Sequence, residues 1–354
     1  MRKPKEPRRL AWPAAALAAA TALAGCSKAV VLNPAGDVAA QQGQLVITAT
    51  LLMLVIIVPV IALTLFFAWK YRQGNTEAEY DPEWHHSTKL ELVIWSVPLA
   101  IIIILGALTW VTTHKLDPYR PLDRIDAQRP VPAGLKPLEV QVVAMDWKWL
   151  FVYPEQGIAL VNELAAPVDR PIHFKLTATS TMNAFYVPDL AGMVYAMPGM
   201  QTELHGVINK AGVFPGLASH NSGFSGMTFK FHGLSDAGFA QWVQQAQAEG
   251  KTLDKSTYLQ LAKPSERDPV QRFARVDADL YDRVLNRCVE EGQVCMHEMM
   301  AIDAEGGRPA AASGLASLAP RNRGDVRGRP FVPSSVCTVD QVPGAFTITA
   351  LGAP

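Results

Sequence analysis

Two long stretches of this sequence are apolar without interruption, and they organise everything around them. Leu45 to Trp69 contains no charged side chain, and as a helix it extends about 37 Å, enough to cross the hydrocarbon core of a bilayer with some tilt. Leu92 to Thr112 is a second such run, with Ile101 to Ile104 inside it and Trp95 and Trp110 near its ends. The pattern predicts transmembrane helices over 45–69 and 90–112. Pro59 would kink a soluble helix, but a membrane helix tolerates it where neighbours satisfy the freed carbonyl. Trp69, Lys70, Tyr71 and Arg72 form an aromatic and basic anchor at the interface, and residues 70–89 form the loop between the helices.

After the second run the pattern changes. Residues 113–137 carry Pro118, Pro121, Pro130, Pro132 and Pro137, a density that reads as a linker. From Leu138 short strands are expected. Ile172, Phe174, Leu176 and Ala178 alternate with His173, Lys175, Thr177 and Thr179, the period of a half-buried strand. Residues 140–142, 202–208 and 227–231 are further strand candidates, so 138–234 reads as an all-β sandwich or small barrel. A helical period follows in 235–303. Ser235 is placed to cap a helix that buries Phe239, Trp242, Val243 and Ala246, and Asp268–Pro269 reads as the start of another that buries Leu280, Tyr281, Val284, Leu285 and Cys288. Residues 304–354 show no periodicity and are expected to be disordered.

Composition adds to this picture. The chain has 354 residues, 49% of them hydrophobic and 18% charged, and 32 Lys and Arg balance 32 Asp and Glu. With no net field, nucleic-acid binding is disfavoured. Residues 1–25 carry a basic start, an Ala/Leu-rich stretch too short to span a membrane, and the ending Leu23-Ala24-Gly25 before Cys26. That order predicts a lipoprotein signal peptide, with Cys26 lipidated at the start of an exported segment, 26–44. The same orientation puts 70–89 in the cytoplasm and everything after about residue 113 outside it.

Several segments resemble subunit II of the haem-copper terminal oxidases. Phe67-Ala68-Trp69-Lys70-Tyr71-Arg72, Glu91-Leu92-Val93-Ile94-Trp95-Ser96-Val97-Pro98 and Thr109-Trp110-Val111-Thr112-Thr113-His114 are similar to its membrane hairpin. Met145-Asp146-Trp147-Lys148-Trp149, Tyr195-Ala196-Met197-Pro198-Gly199-Met200 and Gly223-Phe224-Ser225-Gly226-Met227 are similar to its exported domain. The resemblance covers roughly residues 23–303 and is to the quinol-oxidising branch, the cytochrome bo-type ubiquinol oxidases. It implies a helical hairpin followed by a cupredoxin-like sandwich with C-terminal helices.

The branches of that family separate on chemistry. Cytochrome c oxidases hold a binuclear copper centre in this domain with an upstream His and a Cys-x3-Cys-x3-His-x2-Met loop, soft ligands suited to copper. Here no Cys occurs between Cys26 and Cys288. Asn183 stands where the upstream His belongs, and the loop around Ser219, His220 and Ser222 keeps only Met227. The resemblance therefore implies no metal or other cofactor on this chain, and no electron transfer from cytochrome c. Two haems and one copper are expected in subunit I, where ubiquinol is oxidised and oxygen reduced. The partners implied are subunits I, III and IV and membrane lipid, in a bacterial inner membrane with the C-terminal domain in the periplasm. The chain itself would be a structural subunit of a proton-pumping oxidoreductase, without a complete active site of its own.

A few residues could still contribute chemistry. Glu91 is an acid at the end of a membrane helix, a position that invites a functional reading, and by resemblance it sits at the mouth of a proton pathway. Trp147 and Trp149 are expected on one strand face, as interface or core aromatics. His173, His205, His220 and His232 read as dispersed over the sandwich. Cys288 and Cys295 are expected to pair outside the cytoplasm, leaving Cys337 over. Two other functions compete: a membrane-anchored copper-binding or oxidase-assembly lipoprotein, and a cytochrome c oxidase subunit II, against which the missing ligands speak.

Overall fold

A computed structural model describes residues 30–79, 82–219 and 226–304. The expected signal peptide, Cys26, His220, Ser222, Cys337 and the tail beyond 304 lie outside the described residues.

Helix α1 spans Asp37–Lys70 and α2 spans Thr88–Lys115. Both are long and apolar enough to cross a membrane, and they turn their Leu, Ile, Val and Trp side chains outward. Only Ile101 of α2 is buried. That inversion of the soluble pattern is what lipid as a solvent requires. The expected run 45–69 lies inside α1, but the helix begins at Asp37, eight residues before Leu45. The extra turns are polar and small, so hydropathy alone does not mark them.

They exist because the sandwich holds them. The amides of Ala35 and Gly36 donate to the Asp189 carbonyl at 3.1 and 2.7 Å, and the Asn209 amide donates to the Ala35 carbonyl at 2.8 Å. Gly36 is required here, because a Cβ would lie 2.5 Å from the Val207 carbonyl oxygen and 2.8 Å from that of Leu190. Asp37, Val38 and Ala39 are buried.

The exported part is a two-sheet sandwich. Its strands are β1 Leu138–Met145, β2 Lys148–Tyr153, β3 Ile158–Val161, β4 Glu163–Pro167, β5 Ile172–Ala178, β6 Asn183–Tyr186, β7 Val194–Ala196, β8 Thr202–Gly206, β9 Gly212–Ala218 and β10 Thr228–Leu234. Helix α3, Asp236–Ala248, follows. Then come β11 Thr252–Leu253, α4 Lys255–Leu261, β12 Gln271–Phe273, β13 Arg275–Val276, α5 Leu280–Leu285 and α6 Met296–Ala304. One sheet runs β12-β3-β2-β1-β5-β8 and the other β4-β10-β9-β6-β7, while β11 and β13 form a small pair. Each large sheet contains one parallel pair, β1 with β5 and β4 with β10. Their facing sides enclose a core that includes Trp149, Phe151, Phe174, Phe185, Phe229 and Phe231.

A second core covers the opposite side of the six-stranded sheet. Val143, Met145, Leu150, Val152, Ala159 and Val161 meet Leu253, Tyr258, Phe273, Leu280, Tyr281 and Val284 from the C-terminal segment. Strands β2 and β3 are consequently buried on both faces. They show no alternation in the sequence, as a strand covered on both sides need not.

Ser235 caps α3 by accepting the Gly238 amide at 3.1 Å, and Phe239, Trp242 and Ala246 are buried. The helix start expected at Asp268–Pro269 is absent. The chain there is heading into β12, which pairs with β3, and the last buried helix begins at Leu280. Asp268 serves a different bond: its carboxylate lies 3.1 Å from the buried Lys148 Nζ and accepts from the Ser265 hydroxyl at 2.6 Å.

Candidate functional site

Asn183, Ser219 and Met227, three of the positions expected from the resemblance to mark the degenerate copper site, come together at one end of the five-stranded sheet. Asn183 opens β6, Ser219 follows β9, and Met227 precedes β10. Backbone bonds hold these strand ends in register: the Ser219 amide donates to the Ala184 carbonyl at 3.1 Å and the Ala218 amide to the Met227 carbonyl at 3.2 Å. The side chains are turned to other uses. The Asn183 amide donates to the Thr181 carbonyl at 3.1 Å, and the Ser219 hydroxyl to Met193 Sδ. Met227 is 1% exposed and packs in the core.

Aromatic rings lie beneath this end. Phe185 and Phe229 stack at 5.4 Å, and Trp149 meets them edge-on at 5.4 and 5.8 Å. An amide, a hydroxyl and a single thioether are not a donor set for two close copper ions, which need bridging thiolates and imidazoles. The described residues here do not fit a binuclear copper centre.

Trp147 and Trp149 do not share a strand face. Trp147 falls in the turn between β1 and β2, where its amide donates to the Ser265 carbonyl at 2.9 Å, and its ring is partly buried. Trp149 is on β2, wholly buried, with its indole N–H donating to the Met227 carbonyl at 3.4 Å. Trp149 is thus a core residue rather than an interface aromatic. The Met145–Lys148 pairing places a tight turn at residues 146–147, and that turn breaks the expected period.

Glu91 lies in the first turn of α2, where the helix dipole favours an anion. Its carboxylate meets His86 Nδ1 at 2.7 Å, and the two side chains are 49% and 59% exposed. His86 Nε2 in turn lies 3.1 Å from the Thr88 hydroxyl. His86, in the loop before α2, thus supplies Glu91 with a specific partner that spacing did not single out. Cys288 and Cys295 form a disulfide, with Cα atoms 4.8 Å apart.

The histidines are not all dispersed. His173 on β5 and His205 on β8 are register partners, and their rings stack at 4.3 Å. Glu203 Oε2 lies 3.0 Å from His173 Nε2. Burial, reinforced by the neighbouring His173 and opposed by Glu203, pulls the His205 imidazole down to about 4. Finding this cluster from sequence needs the β5–β8 register, because Glu203 and His205 are two residues apart but His173 is thirty away.

The profile of the COX Aromatic Rich Motif matches residues 247–292. Those residues are the segment that builds the second core through Tyr258, Phe273 and Tyr281. Cytochrome bo(3) ubiquinol oxidase subunit 2 of Pseudomonas aeruginosa is 49% identical over 78% of this chain and 81% of its own length. Ubiquinol oxidase subunit 2 of Acetobacter aceti is 46% identical over 76% of this chain and 85% of its own. The periplasmic domain of subunit II of cytochrome oxidase from Bradyrhizobium japonicum aligns with 32% of this chain and 94% of its own, at 25% identity and a TM-score of 0.31. Because the Pseudomonas and Acetobacter proteins are this similar over most of both chains, the chain belongs to the family of ubiquinol oxidase subunit 2.

Proposed function

We propose that this chain is the copper-free second subunit of a proton-pumping, respiratory ubiquinol oxidase, in which it braces subunit I and carries no complete active site. The observation that carries this reading is the donor set at Asn183, Ser219 and Met227: with no thiolate available, the domain has no route for single electrons from cytochrome c. Ubiquinol is then oxidised within the membrane by subunit I, which holds two haems and one copper, and oxygen is reduced there to water. Subunits III and IV complete the assembly. The exported sandwich faces the periplasm of a bacterial inner membrane, and Cys26 carries lipid.

In this reading α1 and α2 present their outward apolar surfaces to subunit I and to lipid. Glu91, poised at the cytoplasmic end of α2 and paired with His86, collects protons for subunit I.

The test is purification in mild detergent through a tag on this chain, followed by metal and haem analysis and by oxygen uptake with quinol and with reduced cytochrome c. A haem-bearing complex that oxidises quinol alone, with a single copper, is the expected result. Two additional coppers, or turnover with cytochrome c, would sink the reading and favour a cytochrome c oxidase subunit or a copper carrier. Glu91→Gln is expected to slow quinol-driven turnover and proton uptake while haem content stays normal. Unchanged proton uptake would remove Glu91 from the pathway.

A further inference from the structure

We propose that His173, Glu203 and His205 form a binding site for a single divalent transition-metal ion of the zinc class, on the outer surface of the six-stranded sheet.

Strands β5 and β8 are antiparallel, with His173 opposite His205 and Lys175 opposite Glu203. Alternate residues of a strand share a face, so Glu203 and His205 point to the same side, and the register sets His173 against both. The donor atoms of the three side chains all lie within 4.8 Å of one another. His173 Nε2 and Glu203 Oε2 are already 3.0 Å apart. Binding one ion at about 2.0–2.2 Å, the bond lengths zinc takes to imidazole and carboxylate, requires the two imidazoles, now stacked 4.3 Å apart, to tilt toward a common point.

The donor chemistry selects among metals. Two imidazoles and one carboxylate, with no thiolate, suit Zn2+ and its borderline neighbours rather than Mg2+ or Ca2+, which take oxygen ligands. Three protein ligands leave a fourth position for water or a further donor. The surroundings favour a defined site. All three residues sit on paired strands, which hold ligands more exactly in place than loops do. Lys175, the register partner of Glu203, is engaged by Glu139 at 3.0 Å. The outer oxygen of Glu203 receives the Gln201 amide at 3.4 Å. The site is also tied to the membrane hairpin, since the His205 amide donates to the carbonyl of Pro118, three residues beyond the end of α2. A metal held there would stiffen the junction between hairpin and sandwich.

The inference is independent of the proposed function and is tested on the full-length chain in mild detergent, together with whatever subunits it carries. The preparation is stripped with chelator, loaded with ZnCl2 and dialysed. Zinc content is then measured by mass spectrometry, affinity by competition with a chromophoric chelator, and coordination by X-ray absorption. The variants are H173Q, E203Q and H205Q. His205 is buried, so H205Q could fail to assemble, and the two partly exposed positions keep the test decisive. The wild-type chain is expected to retain one zinc more than H173Q or E203Q, with roughly tenfold or greater weakening in each variant and imidazole scattering at the zinc edge. Zinc should also raise the thermal midpoint of the wild-type chain and not that of E203Q. Equal zinc content and affinity in wild type, H173Q and E203Q would overturn the proposal and leave the three residues as an ion pair beside a stacked histidine.

Discussion

The indole N–H of Trp149 points across the sandwich to the backbone carbonyl of Met227, 3.4 Å away. Met227 stands at the end of the β9–β10 connection, where the copper-binding loop pattern also has a Met, and its carbonyl also accepts the Ala218 amide. The strand end that would present a metal ligand is therefore sealed from below by a buried ring, with Phe185 and Phe229 on its flanks.

Trp149→Ala should destabilise the exported domain by about 3–5 kcal/mol through the cavity it leaves. Trp149→Phe should cost less, about 1 kcal/mol for the lost hydrogen bond plus a smaller volume change, because the Met227 carbonyl keeps a second donor. Thermal unfolding of the detergent-purified chain, followed by near-ultraviolet circular dichroism, would give the order wild type, Phe, Ala. An Ala variant as stable as the wild type would refute the role assigned to this ring.

Asp37 and Arg124 join the start of α1 to the linker. The carboxylate accepts from Arg124 Nε and Nη2 at 2.9 and 3.0 Å, and Asp37 is only 6% exposed. Removing one partner of such a pair leaves a poorly solvated charge, so Asp37→Asn should cost about 3 kcal/mol. A double change, Asp37→Asn with Arg124→Met, should be milder than the sum of the single changes. Limited proteolysis within residues 113–137 would report the loosening, and strict additivity in a double-mutant cycle would show that the two do not interact.

Three tyrosines predict an alkaline limit. Burial pushes the Tyr258 hydroxyl up to about 12, partly opposed by its hydrogen bond with Thr179, and burial raises Tyr153 and Tyr281 as well. Below pH 10 the phenols are protonated whether the chain is folded or unfolded, and they add no pH dependence. Between 10 and about 12 only the unfolded chain ionises, so stability must fall as pH rises through that window. Phenolate absorbance should appear together with unfolding. Smooth titration of these hydroxyls in a still-folded domain would contradict their burial.

The Cys288–Cys295 bridge closes a short loop, and Cys288 is 1% exposed beside Val284 and Val289. Loop-closure entropy for a ring of this size corresponds to about 2–3 kcal/mol. Replacing both cysteines by Ser should lower the thermal midpoint of the exported domain and leave the membrane helices intact. An unchanged midpoint under reducing and oxidising conditions would show that the second core holds without the bridge.

Much of this protein was legible in its residues. Uncharged runs of helical length declared the hairpin, because only a helix satisfies its own backbone in lipid. The alternation in 172–178 declared β5, because one face of that strand lies in the core while His173 and Lys175 on the other are only half-buried. The absence of Cys between 26 and 288 excluded thiolate ligation in the sandwich, because copper chemistry follows donor type and not fold.

Other features were decided only when distant segments met. Helix α1 starts at Asp37 because the sandwich supplies carbonyls, and the linker the Arg124 guanidinium, to its beginning. Strands β2 and β3 lost the alternating signal because the C-terminal motif buries their second face, and Asp268 left its expected cap for an ion pair with Lys148. His173, Glu203 and His205 became neighbours through strand register, a relationship between residues thirty apart. Local pattern reflects what each segment must hide from its solvent. Which polar groups then find one another depends on pairing across the sheets, and that is a property of the tertiary structure alone.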